Sequence, residues 1–251
     1  MKRVIFLLYF SVVLSLVNAQ TPKELWDSAH SYYSQSKYTE ALQSYLKIEE
    51  TGYASEGLFY NIGNSYFKLK EVGKSILYYE RALKLNPSDK DLINNLNLAK
   101  EFSLDKIEEI PGFIIKTWIE NVNYSLSSDI WSYIALILFA ATALLLLSFR
   151  FGPSSRLRKI SFFAAIAAFL LGLGSGYFSM DQKYRYNLKN TAIVMKPVST
   201  VRSSPDNSGK SLFILHEGTK VELLEELGQW KRVELADGRQ GWIFSIDIEV
   251  I

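Results

Sequence analysis

The chain has 251 residues, with 28 Lys plus Arg against 26 Asp plus Glu and a formal net charge of +2, so no global basicity points to nucleic acid. It has no cysteine and two histidines, His30 and His216. That excludes a disulfide framework, a thiolate metal site and a thiol nucleophile, and leaves too few imidazoles for a multi-histidine metal centre.

Lys2 and Arg3 open the chain, Val4 to Val17 is apolar apart from Ser11 and Ser15, and Val17-Asn18-Ala19 carries the small residues of a cleavage site. This order predicts a secretory signal over residues 1–19, with Gln20 or Thr21 as the mature start and everything beyond it exported. The run is short of the ~20 apolar residues of a spanning helix. An uncleaved anchor is the alternative, and it exports the same residues.

Residues 21–104 repeat with an offset of 34. Ala29-His30-Ser31-Tyr32 aligns with Gly63-Asn64-Ser65-Tyr66, and the same offset pairs Leu25 with Phe59, Ala41 with Ser75, Tyr45 with Tyr79 and Ile48 with Ala82. Small residues let antiparallel helices approach closely while aromatics fill the gaps beside them. Thr21-Pro22-Lys23-Glu24 reads as a capping box with proline at the first helical position. Pro87 closes the second unit and Gly52 the first, as a left-handed cap. Asp91 to Phe102, with Ile93, Leu96 and Leu98, is expected to cover the last apolar face, as a repeat array needs.

These positions resemble the tetratricopeptide repeat, with Leu25 and Phe59 where that family has tryptophan. The resemblance implies an all-α array whose first helices line a partner-binding groove. The matching positions are Trp26, His30 and Tyr33 in the first unit and Tyr60, Asn64, Phe67 and Lys68 in the second. Asn94, Asn95 and Leu98 continue the surface. An aromatic and amide lining suits an extended peptide or another protein. Trp26 and His30 stand where the family's carboxylate clamp has lysine and asparagine, so specificity for a chain-terminal carboxylate is not expected. The bland reading of each groove residue is an ordinary exposed or half-packed helix position, His30 above all.

Residues 105–128 form an amphipathic linker. Phe113, Ile114, Ile115, Trp118, Ile119 and Val122 predict a helix that either lies on a membrane surface or packs against the last repeat helix. Pro111-Gly112 separates it from the repeats.

Two uncharged blocks follow, residues 130–149 and 160–179, each long enough to cross a bilayer as a helix. Residues 150–159 between them hold Gly152-Pro153 and four basic residues, the mark of a cytoplasmic loop. Lys183, Arg185 and Lys189 beyond the second block weaken that bias, so parity decides: an exported N-terminal region followed by two spans returns the chain to the outer side. Ala164, Ala168, Gly172 and Gly176 recur at four-residue steps, a small-residue stripe suited to close helix contact in lipid. Neither span holds an ionisable residue, so no ion or proton path is expected.

Residues 191–251 switch to short alternating runs: Val201-Arg202-Ser203-Ser204-Pro205, Leu212 to Leu215, Val221 to Leu224, Lys231 to Leu235 and Gly241 to Phe244. Turn residues Gly228-Gln229 and Asp237-Gly238 separate them, predicting about five strands of a small barrel. The order and spacing resemble bacterial SH3-like domains, which implies an all-β module that binds cell-wall peptides or protein segments. Trp230, Trp242 and Phe244 are the expected contact surface. The favoured alternative is that they fill the barrel core and hairpins, Trp242 especially, next to Gly241.

No phosphate loop, nucleophile elbow or zinc motif occurs, so no cofactor is expected and the chain reads as non-enzymatic. The adjacent pairs Glu49-Glu50, Glu108-Glu109 and Glu225-Glu226 point apart on a helix and to opposite faces on a strand, and read as solvated surface. The whole order of modules resembles the BatE family of Bacteroides-type aerotolerance operons. That resemblance implies an inner-membrane protein with both folded modules in the periplasm, in a complex with von Willebrand factor A-type Bat proteins and indirectly a MoxR-type ATPase. Its role would be stress tolerance or envelope-protein maturation. A peptidoglycan-binding anchor acting through the SH3-like module is the alternative.

Overall fold

The computed structural model describes residues 21–107 and 114–251. The expected signal segment, the Glu108-Glu109 pair, Pro111-Gly112 and Phe113 lie outside the described residues.

Five helices form the repeat region: α1 Pro22–Ser34, α2 Tyr38–Glu50, α3 Glu56–Lys68, α4 Val72–Leu85 and α5 Lys90–Glu101. The capping box is present: Thr21 Oγ1 accepts from Glu24 N–H at 3.3 Å, and Glu24 Oε2 accepts from Thr21 N–H at 3.0 Å. The 34-residue offset extends to the backbone, because Ser36 and Lys70 both adopt left-handed φ angles, 62° and 65°, between their paired helices. Gly52 follows α2 with φ 83° and donates its N–H to Glu49 O at 2.8 Å, closing the helix as a left-handed cap does. Gly63 shows why the pattern needs a small residue: a Cβ there would lie 2.6 Å from Tyr79 Cδ1. In α5 the buried stripe is Leu92, Leu96 and Ala99, whereas Leu98 is exposed and Ile93 half-buried. The capping stripe of α5 thus keeps the expected Leu96 but uses Leu92 and Ala99, each one residue away from the expected Ile93 and Leu98.

A short helix, α6 Ile114–Tyr124, leads into two long ones, α7 Ser128–Phe151 and α8 Ser155–Asn187. Both are long and apolar enough to cross a membrane. They pack along a seam on α8 made of Ser161, Ala165, Ala168, Gly172, Ser175, Ser179 and Gln182, each buried except the half-buried Ala168. That spacing alternates four and three residues, the heptad geometry of a left-handed pair. The expected four-step stripe is therefore corrected: Ala164 and Gly176 flank the seam, and Gly172 alone of the four lies buried in it. Hydroxyl pairs pin both ends, Ser132 with Ser179 at 2.7 Å and Ser161 with Ser148 at 3.0 Å.

The C-terminal module has seven strands, β1 Thr191–Val194, β2 Val198–Arg202, β3 Ser211–His216, β4 Lys220–Leu227, β5 Trp230–Glu234, β6 Gln240–Phe244 and β7 Ile248–Val250. All pair antiparallel in the order β3-β2-β6-β5-β4-β1-β7. Ala192, Val194, Val201, Leu215, Val221, Val233, Ile243 and Ile248 meet in one core. One cluster fed by every strand requires the sheet to curl around it. The two strands beyond the expected five are β1 and β7: β1 is buried at three of its four positions and so does not alternate, and β7 is only three residues long.

Candidate functional site

A pocket of about 240 Å³ opens among α1, α3, α4 and α5, lined by Tyr33, Tyr60, Asn64, Phe67, Lys68, Tyr79, Asn95 and Leu98. Five of the seven expected groove residues meet here. Helical spacing accounts for it: Tyr60, Asn64, Phe67 and Lys68 recur at intervals of three and four on α3, one face of one helix. Asn64 is fixed from below. Its Oδ1 accepts from Tyr79 Oη at 2.7 Å and from Asn95 Nδ2 at 3.4 Å, and Asn95 also donates to Tyr60 Oη at 2.7 Å. The carbonyl end is thereby occupied, and the amide N–H groups of Asn64 are left to donate to a ligand.

The other two expected residues, Trp26 and His30, lie outside this pocket. Their rings meet at a tilt of 56° with centroids 5.0 Å apart, and both pack edgewise on Tyr45, at 5.7 and 5.9 Å. Tyr45 is the counterpart of Tyr79 but has no counterpart of Asn64 to bond, since His30 stands there. Its buried hydroxyl has no hydrogen-bond partner among the described residues. Burial, with a smaller contribution from Tyr33, pushes the Tyr45 phenol up to about 12. Tyr79 is the pocket residue not expected in the lining; the 34-residue pairing of the two tyrosines was its signal.

The barrel docks on the face of α4 that carries Gly73, Ile76, Glu80, Arg81 and Lys84, leaving the α1–α3 face uncovered. β1 supplies the apolar contact. Ala192 and Val194 point into the barrel core, and Ile193 between them joins the repeat core. Alternation along a strand thus lets one strand serve two cores. Glu80 is 6% exposed and sits between two cations, with Lys220 at 2.7 Å and Lys100 at 3.0 Å. Burial alone would raise its pKa, but Lys220 and Lys100 outweigh that and hold the carboxyl below the usual glutamate range. Arg81 bonds Glu249 at 2.8 Å and Lys84 donates to Leu188 O at 2.8 Å and Ile251 O at 2.9 Å.

A second clasp holds the segment after α5. Asp105 accepts from His216 N–H at 2.7 Å and Thr219 Oγ1 at 2.6 Å, and its other oxygen lies 2.8 Å from His216 Nδ1. Burial works against the charge, yet these donors hold Asp105 below the usual carboxylate range. His216 therefore has a carboxylate partner that sequence distance hid, 111 residues away.

The three expected SH3-like contact residues share a face, and it is not the core face. Trp230 and Phe244 are cross-strand partners with rings stacked at 3.9 Å. Trp242 is half-buried and pairs across strands with Arg232 and Arg202. The core positions of β5 and β6 are Val233 and Ile243, which alternate with them. The packing alternative holds for the stacked Trp230 and Phe244 but not for Trp242: Gly241 turns inward, where any Cβ would collide with Val201, and Trp242 turns outward. Trp230 alone is buried, at 7% exposure.

The tetratricopeptide repeat family model matches residues 58–89, and the bacterial SH3 domain family model matches residues 198–249. The chain is also similar to the Photosystem I assembly protein Ycf3 of Cyanophora paradoxa, at 32% identity over 98 residues, 35% of this chain and 57% of that protein. The chain thus spans just over half of that relative's length. Both matched domains are non-catalytic, interaction-type modules, and their pairing supports a protein-interaction or envelope-binding role. No group of three metal-ligating side chains occurs among the described residues.

Proposed function

We propose that the chain is a membrane-anchored scaffold of the bacterial envelope, with the helical array and the barrel both on the periplasmic side and α7 and α8 crossing the inner membrane. The observation that carries this reading is the pocket around Asn64. Its amide donors stand between aromatic walls, suited to the carbonyl of an extended peptide, with Lys68 at the rim for a carboxylate. Docking of the barrel on the opposite face of α4 leaves that pocket accessible. A relative named for assembling a photosystem supports an assembly role. The narrower proposal is membership of a Bat/MoxR-type complex for aerotolerance or stress tolerance.

A photo-crosslinking residue at Lys68 in native membranes tests the reading. The expected result is a discrete protein adduct that is lost when Asn64→Ala and Phe67→Ala are added. For the narrower proposal, the adduct should be a von Willebrand factor A-type membrane protein. An adduct insensitive to both substitutions would sink the groove as a partner site.

The outward face of Trp242 and Phe244 favours one further reading, contact with peptidoglycan. Retention of the purified full chain on isolated cell wall, reduced by Trp242→Ala, is its expected signature.

A further inference from the structure

The turn between α7 and α8 gathers positive charge that nothing in the chain neutralises. No Asp or Glu occurs between Asp129 and Asp181, and that stretch holds Arg150, Arg156, Arg158 and Lys159. Among the described residues none of the four makes an ion pair with a carboxylate; Arg150 lies over the Phe151 ring at 5.3 Å. Chain geometry then brings three of them to one place. Gly152 permits a close turn, because a Cβ there would lie 2.5 Å from Ser148 O and 3.3 Å from Arg158 Cγ. The stem of Arg158 therefore folds back over the turn toward the last residues of α7. The result is a pocket of about 370 Å³ lined by Phe149, Arg150, Ser155, Arg158 and Lys159. Arg156, equally charged, is not part of its lining.

Like charges from two helices around one opening repel each other unless an anion joins them. Ser155 adds a hydroxyl donor and Phe149 an apolar wall. The opening lies where two apolar helices end, which is the level of the headgroups if those helices span the bilayer. We propose that this pocket is a binding site for the phosphate of an anionic phospholipid headgroup, held by Arg150, Arg158 and Lys159. The inference rests on the membrane-spanning reading of α7 and α8.

The test uses the purified full chain in detergent micelles, with phosphatidylglycerol or phosphatidylcholine added and bound lipid counted by native mass spectrometry. Phosphatidylglycerol is retained over phosphatidylcholine. Each single change, Arg150→Gln, Arg158→Gln or Lys159→Gln, weakens that preference roughly fivefold, as expected for one cation at an anionic surface. Arg156→Gln keeps it, because its charge lies outside the pocket, and excess inorganic phosphate does not displace the lipid. Equal retention of both lipids, an equal loss in Arg156→Gln, or displacement by inorganic phosphate would each overturn the proposal. Gly152→Ala, which forces the close turn apart without altering charge, should also lower the preference. Alkaline carbonate extraction of native membranes separates the two readings. A chain that washes off refutes the spanning assignment, whereas one that stays embedded without lipid preference refutes only the headgroup site.

Discussion

At Ile193 one side chain joins two modules. It is fully buried in the repeat core while its neighbours Ala192 and Val194 fill the barrel. Ile193→Ala should cost about 2–5 kcal/mol, the range for a buried aliphatic side chain cut to a methyl group. The loss belongs to docking, so proteolysis should separate the modules before either unfolds. Tyr45 and Tyr79 make a paired prediction at the same scale. Tyr79→Phe removes a hydrogen bond to Asn64 and should cost about 1 kcal/mol, whereas Tyr45→Phe removes an unpartnered buried hydroxyl and should be neutral or stabilising. The raised Tyr45 pKa fixes a sign. The folded state holds this proton more tightly than the unfolded chain, so its stability is intact below the ordinary tyrosine value, about 10. It is lost as the pH rises toward about 12. Tyr45→Phe should flatten that alkaline limb in a thermal-midpoint series. The repeat pairing of Tyr45 with Tyr79 was legible in the sequence. The missing acceptor was not, because it depends on which residue faces each hydroxyl across the helix pair.

At the scale of elements, the heptad seam between α7 and α8 decides which small residues matter. A Cβ at Gly172 would sit 3.1 Å from Phe139 Cε1, whereas none of the surrounding atoms comes within 4 Å of one at Gly174. Gly172→Leu should therefore disrupt the hairpin and Gly174→Leu should not, read as the rate of disulfide closure between Ser132→Cys and Ser179→Cys introduced into each background. The apolar blocks showed that two long helices exist. They did not show the seam, because alanine and glycine are frequent on every side of α8, and a four-step stripe and a heptad share Ala168 and Gly172. The linker helix α6 separates two expectations in the same way. Its Ile114, Ile115 and Trp118 are 86%, 74% and 65% exposed, so these side chains do not pack on the last repeat helix and remain available to a membrane surface. In the barrel, the turn glycines gave the hairpins, whereas β1 escaped notice as a strand because both of its faces are buried.

For the whole molecule, the organisation follows from how the modules meet. Glu80 between Lys100 and Lys220, Asp105 against His216, and Lys84 against the end of α8 tie array, barrel and hairpin into a single arrangement with the Asn64 pocket uncovered. None of these pairings is visible locally, since the partners stand more than a hundred residues apart in most cases, and only the fold brings them together. The module order was legible; the docking was not. Docking also strengthens the central claim, because two modules sharing a core must lie on the same side of any membrane that α7 and α8 cross. The absence of cysteine makes that claim directly measurable. Single cysteines at Gln43 in the array, Lys210 in the barrel and Ser154 in the basic turn are labelled with a membrane-impermeant maleimide in spheroplasts. The account predicts labelling of Gln43→Cys and Lys210→Cys in intact spheroplasts, and of Ser154→Cys after permeabilisation alone. Labelling of Ser154→Cys from the outside, or of one module without the other, would contradict it.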